Sequence, residues 1–557
     1  MRNTIVTFAA LVALVALVAG CAREPISRDE FYGTTEPFAS EAIYFVLTDR
    51  FVNGDTSNDQ REQGGSEPTF DRPTPGAPAG ESDNIGYLGG DLKGVLDNAD
   101  YIRDMGFSAV WITPIVDNPD AVFAGGKPVS WASFWTDQGK TGYHGYWGVN
   151  FYKLDEHLPS ANLDFAGFTQ SMHAKNMKVV LDIVANHGSP SYTMPVAQPE
   201  FGKIYDRDGK LIADHQNLPP EQLDPASNLL HRFFNKKNGI AELSDLNEHD
   251  PAVLDYLAGA YEQWLGQGAD AFRIDTIGWM PDAFWKKFAD RIRAKQPGLF
   301  MFGEDFRWDA KDIAPHTLPE NGAISVLDFP LKAGMAKVFE NKGGDYSELE
   351  SALYLKDGPY QNPYELVTFY DNHDMARLNA SDQGFIDANN WLFTARGIPA
   401  IYYGSETGFM RGRAEHAGNR NYFGQDRVNA AHEHPIHQNL RRIARLRSES
   451  VALQKGLQLN LELKGDRAAF YRVYQSGEFT QTALVLLNKG DTPAVFAISE
   501  LLEPGHWRAA FDGPAITVPD GGSLHTTVPS HGVQVYFFDA ALTRVDLKQH
   551  LAELMLM

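Results

Sequence analysis

Four short apolar runs in this chain each end in acidic or histidine side chains. These runs are Asp182–His187, Gly268–Asp275, Phe302–Glu304 and Phe369–Asp374. In a (β/α)8 barrel, the reactive side chains stand at the carboxyl ends of the parallel strands, directly after such apolar runs. The four runs therefore predict barrel strands whose ends bring carboxylates and imidazoles to one face.

The run Gly268–Asp275 places Arg273 two residues before Asp275. Side chains two apart in a strand project from the same face, so a cation would lie beside a carboxylate. Such a cation favours the ionised carboxylate, which is the form that a carboxylate nucleophile requires. An isolated Arg-x-Asp pair is equally compatible with a structural ion pair, and the three companion runs are what favour a catalytic site.

The four runs, in this order, resemble the sequence motifs of the α-amylase family of glycoside hydrolases (family 13). Four further segments match the family in the same order: Gly106–Ile115, Tyr143–Trp147, Leu243–Asn247 and Gly397–Gly404. The resemblance extends from about residue 42 to residue 446. The strongest local similarity, in Leu243–His249 and Ile204–Asp206, is to the branch of cyclodextrin glucanotransferases and maltogenic amylases.

The resemblance implies an α/β fold, a (β/α)8 TIM barrel with an inserted domain B and a C-terminal antiparallel β-sandwich domain. The 557 residues suit a barrel with such additions. Apolar spacing predicts helices over 251–267 and 281–295, and alternation over 457–538 indicates antiparallel strands. The expected divisions are a lipoprotein signal peptide (1–20), a tether (21–37), the barrel (38–186 and 244–450), domain B (187–243), the sandwich (455–540) and a tail (541–557).

The resemblance assigns three catalytic carboxyl groups. Asp275 would be the nucleophile, Glu304 the acid/base, and Asp374 the group that binds hydroxyls of the distorted sugar ring. Retaining glycoside hydrolysis needs two carboxyl groups about 5 Å apart, and neighbouring strands lie about 4.8 Å apart. Asp275 and Glu304 on adjacent fourth and fifth strands suit that spacing, and the apolar Phe302 would favour protonated Glu304 by desolvation.

Five more residues are expected to contact the same sugar ring: His144, Tyr146, His187, Arg273 and His373. The three histidines can donate hydrogen bonds to sugar hydroxyls. Tyr146 offers a ring face to the C–H surface of the pyranose, whereas Trp147 is expected to pack in the interior. Asp182 is expected to hold the loop after the third strand, which is an indirect role.

Two loop segments, 53–59 and 89–91, are rich in oxygen donors of the kind that Ca²⁺ prefers. They resemble the first-loop calcium site of the cyclodextrin glucanotransferase branch, which implies the ligands Asn53, Asp55, Asn58, Asp59, Gly89 and Asp91. The alternative is a solvated loop of Asx turns without metal. A second family calcium site would involve Asn186 and a backbone carbonyl at Trp279, where the family usually has histidine.

The N-terminus has the pattern of a targeting segment. Arg2 precedes an apolar stretch over 5–19, which is short for a membrane span. Val18-Ala19-Gly20-Cys21 resembles a bacterial lipoprotein signal, so we expect cleavage before Cys21 and lipidation of that residue. It is the only cysteine, so no disulfide partner exists. The expected location is extracytoplasmic and lipid-anchored, at the outer membrane or periplasmic face, and the alternative is an ordinary secretory signal.

The expected partner is an α-glucan. The net charge of −23 argues against nucleic acid and anionic surfaces, and it fits a neutral polymer, although acidity also serves solubility. The chain has 10 Trp, 22 Tyr and 34 Phe, which suit stacking on sugar faces, but most are expected in the core.

The sequence favours an α-amylase that hydrolyses α-1,4-glucosidic bonds. Three features argue against cyclisation: the chain stops after the C-terminal domain, the segment Lys210–His215 lacks a central aromatic residue, and Gly278-Trp279 replaces the usual Lys-His pair. One alternative is a cyclodextrin- or pullulan-degrading enzyme, or an α-glucan transglycosylase. A remote alternative is a catalytically dead, glucan-binding surface lipoprotein, against which the three intact carboxyl groups speak.

Overall fold

The computed structural model describes residues 29–63, 67–79, 83–511 and 513–555. The predicted signal peptide and Cys21 lie outside these ranges. Eight parallel strands form one sheet, and the pairing of Leu327 with Val367 joins its two ends, which confirms the predicted barrel. In chain order the strands are Ile43–Val46, Ala109–Ile112, Lys178–Ile183, Ala271–Ile274, Phe300–Gly303, Ser325–Val326, Val367–Thr368 and Ile398–Tyr402.

Helices alternate with these strands and share one apolar core with them. The helix predicted over 251–267 is observed at Pro251–Gly266, where the Asp250 side chain accepts from the Ala252 N–H and proline takes the first position. The described helices of the barrel are Leu92–Asp97, Ala99–Asp104, Phe165–Ala174, Pro251–Gly266, Asp282–Lys295, Ala310–Ile313, Phe329–Phe339, Asp382–Leu392, Gly424–Ala431, Pro435–Ser448 and Val451–Lys455.

Domain B leaves the barrel after the third strand. Its two ends are joined, because His187–Pro190 pairs antiparallel with Leu243–Asp245. Between them, Lys203–Tyr205 and Leu211–Asp214 form a second antiparallel pair. The pairing extends two residues beyond the predicted end of domain B at 243. The joined ends position this small domain over the carboxyl edge of the barrel, where His187 lies.

The C-terminal domain is the predicted antiparallel sandwich. A sheet of six strands packs through a shared apolar core against the pair Ala494–Ile498 and Leu524–Val528. The six strands, in spatial order, are Leu457–Lys464, Arg467–Ser476, Phe479–Asn488, Gly532–Phe538, Gly505–Ala509 and Ile516–Val518. In the two-stranded pair, inward-facing residues alternate with exposed ones, whereas the central strands of the six-stranded sheet are buried on both faces, one in the sandwich core and the other in the core shared with the barrel.

Both ends of the described chain are folded onto the sandwich, which corrects the expected extent of the tether. Phe31 is fully buried and exchanges two backbone hydrogen bonds of 2.7 Å with Gln475, so residues 31–37 are not a free tether. The predicted tail contains the helix Val545–Leu554, which buries Leu547 and Leu551 in the same core. In the helix, apolar side chains at helical spacing form the buried face, whereas Phe31 is held by an antiparallel β-bridge. In the described part of the chain, no helix has the length and apolarity to cross a membrane.

Candidate active site

Asp275 and Glu304 follow directly after the fourth and fifth barrel strands. The Glu304 N–H donates to the Ile274 carbonyl at 2.8 Å, and the Asp275 N–H donates to the Ile183 carbonyl at 2.9 Å. These bonds continue the parallel ladder one residue beyond the strands, whose register pairs Ile274 with Gly303. The two carboxyl groups are therefore neighbours on one rim, at the spacing of adjacent strands, about 4.8 Å.

Arg273 holds three carboxyl groups at the centre of the site. Its Nη1 lies 2.8 Å from Asp182 Oδ1 and 2.9 Å from Asp275 Oδ1, and its Nη2 lies 2.7 Å from Glu304 Oε2. Although burial opposes the charge, these carboxyl groups raise the pKa of Arg273 well above its ordinary value. A permanently charged guanidinium thus orients the nucleophile and the acid/base together.

Glu304 is arranged to hold a proton. Burial raises the pKa of its carboxyl group well above the ordinary range, and the neighbouring Asp374 and Asp275 add to that effect, while Arg273 opposes it. Its Oε1 atom is buried and has no hydrogen-bond partner among the described residues. A protonated carboxyl group at the wall of the cleft is what a general acid requires.

Asp182 was expected to hold the loop after the third strand, but its contacts are with Trp111, Tyr146 and Arg273. Its Oδ2 accepts hydrogen bonds from Trp111 Nε1 at 2.9 Å and from the Tyr146 hydroxyl at 2.8 Å, in addition to the contact with Arg273. Burial raises the pKa of Asp182 to about 7, with Arg273 opposing the shift. Of its three partners Tyr146 lines the cleft and Arg273 contacts Asp275 and Glu304, so Asp182 positions Tyr146 and Arg273.

Asp374 lies in the loop after the seventh strand. Its Oδ1 is 2.6 Å from Arg420 Nη2, and its Oδ2 is 3.1 Å from His373 Nε2. Its side chain is 30% exposed, whereas those of Asp275 and Glu304 are 7% and 5% exposed. The cleft therefore brings together all three carboxyl groups that the sequence singled out, and Asp374 is the most open to a ligand.

The three predicted histidines are buried in the wall of the same cleft. Burial lowers the pKa of His144 and of His373 well below the ordinary value, and it lowers that of His187. His144 Nδ1 accepts from the Tyr146 N–H at 3.1 Å, which leaves its Nε2–H available as a donor. Neutral imidazoles with one donor each suit hydrogen bonds to hydroxyl groups.

Tyr146 lies between two of these imidazoles. Its ring centroid is 5.3 Å from that of His373, nearly parallel at 10°, and 5.7 Å from that of His144. Trp147 packs in the interior as predicted, with its ring 5.9 Å from Phe123 and 6.2 Å from Phe201. The hydroxyl bond to Asp182 fixes the Tyr146 ring, so this aromatic face is rigid before any ligand binds.

The cleft also contains residues to which the sequence pattern did not point. They include the aromatic side chains Phe134, Trp135 and Phe306 and the charged side chains Asp137, Lys140, Glu415 and Arg420. Phe306 could have been found, because it stands two residues after Glu304. The others lie in loops without a local repeat, and only long-range contacts bring them to the cleft.

Domain B reaches the cleft through a different segment from the expected one. Leu211–Asp214 is a hairpin strand, and no residue of Lys210–His215 lines the cleft. Domain B instead contributes Ile240, Ala241 and Leu243. The segment that the sequence singled out therefore does not form this edge of the cleft, and Ile240, Ala241 and Leu243, which do, are not aromatic. The position of Lys210–His215 in the chain suggested that it borders the cleft, but the hairpin directs this segment away from the cleft.

Five of the six predicted calcium ligands lie together beside the first strand. Asp91 accepts from the Gly54 N–H at 3.1 Å and from Asn58 Nδ2 at 3.1 Å, and Asn53 Nδ2 donates to Asp59 Oδ1 at 2.7 Å. A Cβ on Gly89 would lie 2.2 Å from Asn53 Nδ2, so only glycine allows this approach. The amide oxygens Asn53 Oδ1 and Asn58 Oδ1 are buried without a hydrogen-bond partner in the described residues.

Asp55 departs from this group. Its carboxylate accepts from the N–H and the hydroxyl of Ser57, at 3.0 and 2.6 Å, and is exposed. Nowhere in the described ranges do three or more Asp, Glu, His or Cys side chains converge as a metal site. Cation binding here would therefore depend on amide and backbone oxygens with one or two carboxylates, which is chemistry that Ca²⁺ accepts. At the second predicted position, Asn186 Nδ2 donates to Asp245 Oδ1 at 3.1 Å.

Comparison with known proteins gives one consistent family. The sequence model "Alpha amylase, catalytic domain" matches residues 45–441. A cyclomaltodextrin glucanotransferase of Klebsiella oxytoca is 28% identical over 89% of this chain and 78% of that protein. An α-amylase of Niallia circulans is 28% identical over 92% of this chain and 94% of that protein. The solved structure of CldA, a cyclomaltodextrin glucanotransferase with a three-domain ABC distribution, is 29% identical with a TM-score of 0.69, over 90% of this chain and 99% of that one.

Proposed function

We propose that this chain, which belongs to the α-amylase family, hydrolyses α-1,4-glucosidic bonds of starch-like glucans or maltooligosaccharides with retention of anomeric configuration. The observation that carries the proposal is the contact of one buried guanidinium with both Asp275 and Glu304 on adjacent strands. Adjacent-strand spacing suits the retaining geometry, in which one carboxylate is the nucleophile.

The proposed reaction has two displacements. In the first, Asp275 forms a bond to the anomeric carbon while Glu304 gives its proton to the departing glycosidic oxygen. In the second, Glu304 takes a proton from water, whose oxygen displaces Asp275 and releases the sugar. Asp374, with neutral His144, His187 and His373, would bind hydroxyls of the reacting ring. The attraction between the Asp374 carboxylate and that ring would strengthen as positive charge develops on the ring.

Transglycosylation is the second candidate, because it differs only in the acceptor that replaces water. The end of the chain after the C-terminal domain does not argue against it, since CldA has a three-domain ABC distribution and is a cyclomaltodextrin glucanotransferase. Two features still support hydrolysis: the aliphatic residues Ile240, Ala241 and Leu243 of domain B at the cleft, and Gly278-Trp279 on the acceptor side. At both places this chain lacks groups that the branch of cyclodextrin glucanotransferases and maltogenic amylases uses to hold a sugar acceptor.

The test is the product profile from starch, pullulan and cyclodextrin, together with NMR of early products from a maltooligosaccharide. We expect linear maltooligosaccharides as the main starch product and the α-anomer as the first product. β-Anomers would overturn the retaining mechanism, and cyclodextrins or longer transfer products in excess would overturn hydrolysis. Absence of any turnover would favour the glucan-binding alternative.

We further propose that the loop cluster Asn53, Asn58, Asp59, Gly89 and Asp91 binds Ca²⁺ as a structural ion. The buried, unpartnered Asn53 Oδ1 and Asn58 Oδ1 support it, since buried amide oxygens normally have a partner. Bound calcium would join the first barrel loop to the N-terminus of helix Leu92–Asp97, which Asp91 caps. Asp55 would contribute no side-chain ligand.

Chelation is expected to destabilise the protein, because an ion bound only by the folded state adds binding free energy to folding. At an ion concentration of 100 times Kd, that contribution is about 2.7 kcal/mol. EDTA should lower Tm and Ca²⁺ should restore it, as measured by differential scanning calorimetry. Asn58→Ala should lose most of this response, whereas Asn58→Asp and Asp55→Ala should keep it. An identical Tm of the wild type in EDTA and in Ca²⁺ would refute the site.

We also propose that the protein is lipid-anchored through Cys21 at an extracytoplasmic membrane surface. Phe31 is fixed in the sandwich, so at most residues 22–30 would form the leash, with a reach of about 30 Å. Two or more acyl chains are normally needed for a stable anchor. The catalytic barrel would thus act close to the membrane surface.

Replacement of Cys21 by serine removes the acylated thiol and should move activity from the membrane fraction to the soluble fraction. The measurement is glucan-hydrolysing activity after ultracentrifugation of lysed cells, with detergent-solubilised wild type as the reference. Because the residue lies outside the barrel and the sandwich, total activity should stay within about twofold of the wild type. An unchanged distribution between the fractions would contradict the anchor.

A further inference from the structure

The contact between the barrel and the C-terminal sandwich contains a buried ion pair. His531 lies in the sandwich, directly before strand Gly532–Phe538, and its Nδ1 is 2.7 Å from Asp387 Oδ2. Asp387 belongs to barrel helix Asp382–Leu392, and its side chain is 5% exposed. The second ring nitrogen of His531, Nε2, lies 3.1 Å from Asp491 Oδ1 in a loop of the sandwich. The imidazole therefore joins the two domains through one nitrogen and its own domain through the other.

An imidazole between two carboxylates retains its proton, because only the imidazolium ion has a donor on each nitrogen. The hydrogen bond to Asp387 raises the pKa of His531 to about 8, with burial opposing and Asp491 adding to the shift. Burial raises the pKa of Asp387 to about 6, with His531 opposing. Both members of the pair are therefore charged near neutral pH. As the pH rises, His531 is the member that loses its charge.

Further charged groups line the cavity between the two domains, where this pair lies: Glu340, Lys342, Asp466 and Lys489. Lys489 Nζ is 2.7 Å from Asp466 Oδ1, so this lysine has its own carboxylate partner. The pKa of Asp491 is lowered by His531 and then by Lys342, so its carboxylate remains ionised. Carboxylates stay ionised in alkaline solution, and lysines ordinarily titrate above histidines. Loss of the His531 proton is therefore the first change of charge in this contact above neutral pH.

The backbone of His531 is held in a strained conformation by the sandwich. Its φ of +49° lies in the left-handed region, which residues with a Cβ rarely adopt. The His531 N–H donates to the Gly490 carbonyl at 3.3 Å, and the next residue, Gly532, pairs with Asn488 in the sheet. Strain of this kind persists only where surrounding contacts over-determine it. The sandwich therefore presents the imidazole to the barrel helix in a fixed position.

We propose that His531 is a pH-dependent latch between the two domains. Its imidazolium holds the sandwich against barrel helix Asp382–Leu392, and loss of its proton in alkaline solution releases this edge of the sandwich. The proton passes to water, which reaches the 21% exposed His531 side chain. The neutral ring can donate to only one of its two carboxylates. A buried carboxylate that has lost its cation is strongly destabilising, so the contact at Asp387 weakens.

A double-mutant cycle with His531→Gln and Asp387→Asn tests the latch in the full-length protein. The pKa of His531 is raised in the folded protein, so its contribution to stability is complete below pH 6.5 and is lost as the pH rises through about 8. Because water screens part of this effect, we expect a coupling of about tenfold in the urea-unfolding equilibrium constant at pH 7 and less than about twofold at pH 9.5.

The control for this cycle is His506→Gln, an exposed histidine on strand Gly505–Ala509 of the sandwich. It should show no coupling to Asp387→Asn at either pH. A coupling between His531 and Asp387 that is equal at pH 7 and pH 9.5 would indicate a neutral hydrogen bond and would overturn the latch. Absence of coupling at both pH values would overturn it as well.

Trypsin measures the release in the wild-type protein. The Lys489 side chain is 5% exposed in the contact between the domains, whereas Lys237 is exposed in domain B. Cleavage after Lys489, relative to cleavage after Lys237, should rise about tenfold from pH 7 to pH 9.5, because cleavage follows the population of the open form. The ratio cancels the pH dependence of trypsin itself. In His531→Gln the ratio should be high at both pH values. A wild-type ratio that stays low at pH 9.5 overturns the latch, even if the variants fail to fold.

Discussion

Asp275→Asn is expected to lower kcat by roughly 10⁴-fold on every glucan, because the amide cannot form the bond to the anomeric carbon. The exchange is nearly isosteric, so the fold should persist. The buried Arg273 would keep its contacts with Asp182 and Glu304, at 2.8 and 2.7 Å. Activity should be measured on soluble starch and on α-maltosyl fluoride, and Asp275→Asn should be inactive on both.

Glu304→Gln should distinguish the role of the general acid from that of the nucleophile. It removes the proton source, which is worth roughly 10²–10⁴-fold for a sugar leaving group. Fluoride leaves without protonation, so Glu304→Gln should retain much more of its activity on α-maltosyl fluoride than on starch. A common loss on both substrates would contradict the acid role of Glu304. Retention of more than about a tenth of the starch activity by either variant would contradict both assignments.

The dependence of activity on pH tests the acid role of Glu304 independently. Because the pKa of Glu304 is raised by burial, the protonated acid persists above the usual range of a glutamate. Activity of the wild type on starch should therefore fall on the alkaline side as Glu304 loses its proton. In Glu304→Gln, this alkaline limb should disappear.

Arg273→Met is expected to destabilise the protein by about 3–5 kcal/mol and to abolish activity, because it leaves buried carboxyl groups without their cation. Asp182 is fully buried and shares this guanidinium with Asp275 and Glu304. Urea unfolding at 25 °C measures the loss. Arg508→Met, at an exposed pair with Asp539 at 3.2 Å, is the control and should change stability by less than about 1 kcal/mol.

The loss in Arg273→Met should depend on pH in a defined direction. Without the cation, the raised pKa values of Asp182 and Glu304 rise further, so these two groups stay neutral in the folded variant up to a higher pH. The variant should then lose the least stability at pH 5 and more at pH 8. At pH 8 the same carboxyl groups are ionised in the unfolded chain, and burying them in the folded variant costs free energy. Adding Asp182→Asn should recover part of the loss at pH 8. A loss that is equal at both pH values would indicate that packing, not charge, accounts for the effect.

The catalytic carboxyl groups could be predicted because each is specified by its own strand. Arg273 and Asp275 share a face through the two-residue repeat of a β-strand. Glu304 comes one residue after the next strand, so parallel pairing alone makes it a neighbour of Asp275. The helix at Pro251–Gly266 was predictable to within one residue for the same reason, since its cap and apolar spacing are local.

Charges in the loops could not be assigned in this way. Lys140 and Glu415 are 275 residues apart, and neither stands in a periodic segment. Their contact depends on how two long loops close over the barrel rim. The expectation for Asp55 failed for a related reason, because its side chain forms a local turn with Ser57 instead of facing the cluster. Sequence showed a donor-rich segment but not which oxygens face inward.

The sequence by itself determined the barrel strands, because their apolar runs and the residues that end them are local properties of the chain, and its resemblance to the α-amylase family supplied the order of the domains and the roles of the three carboxyl groups. Only the tertiary structure decided that Phe31 packs on the sandwich, that Ile240–Leu243 forms the domain B edge, and that Phe134 and Trp135 face the cleft. The physical reason is that loop conformation follows from contacts between distant segments, and those contacts carry no repeat in the sequence.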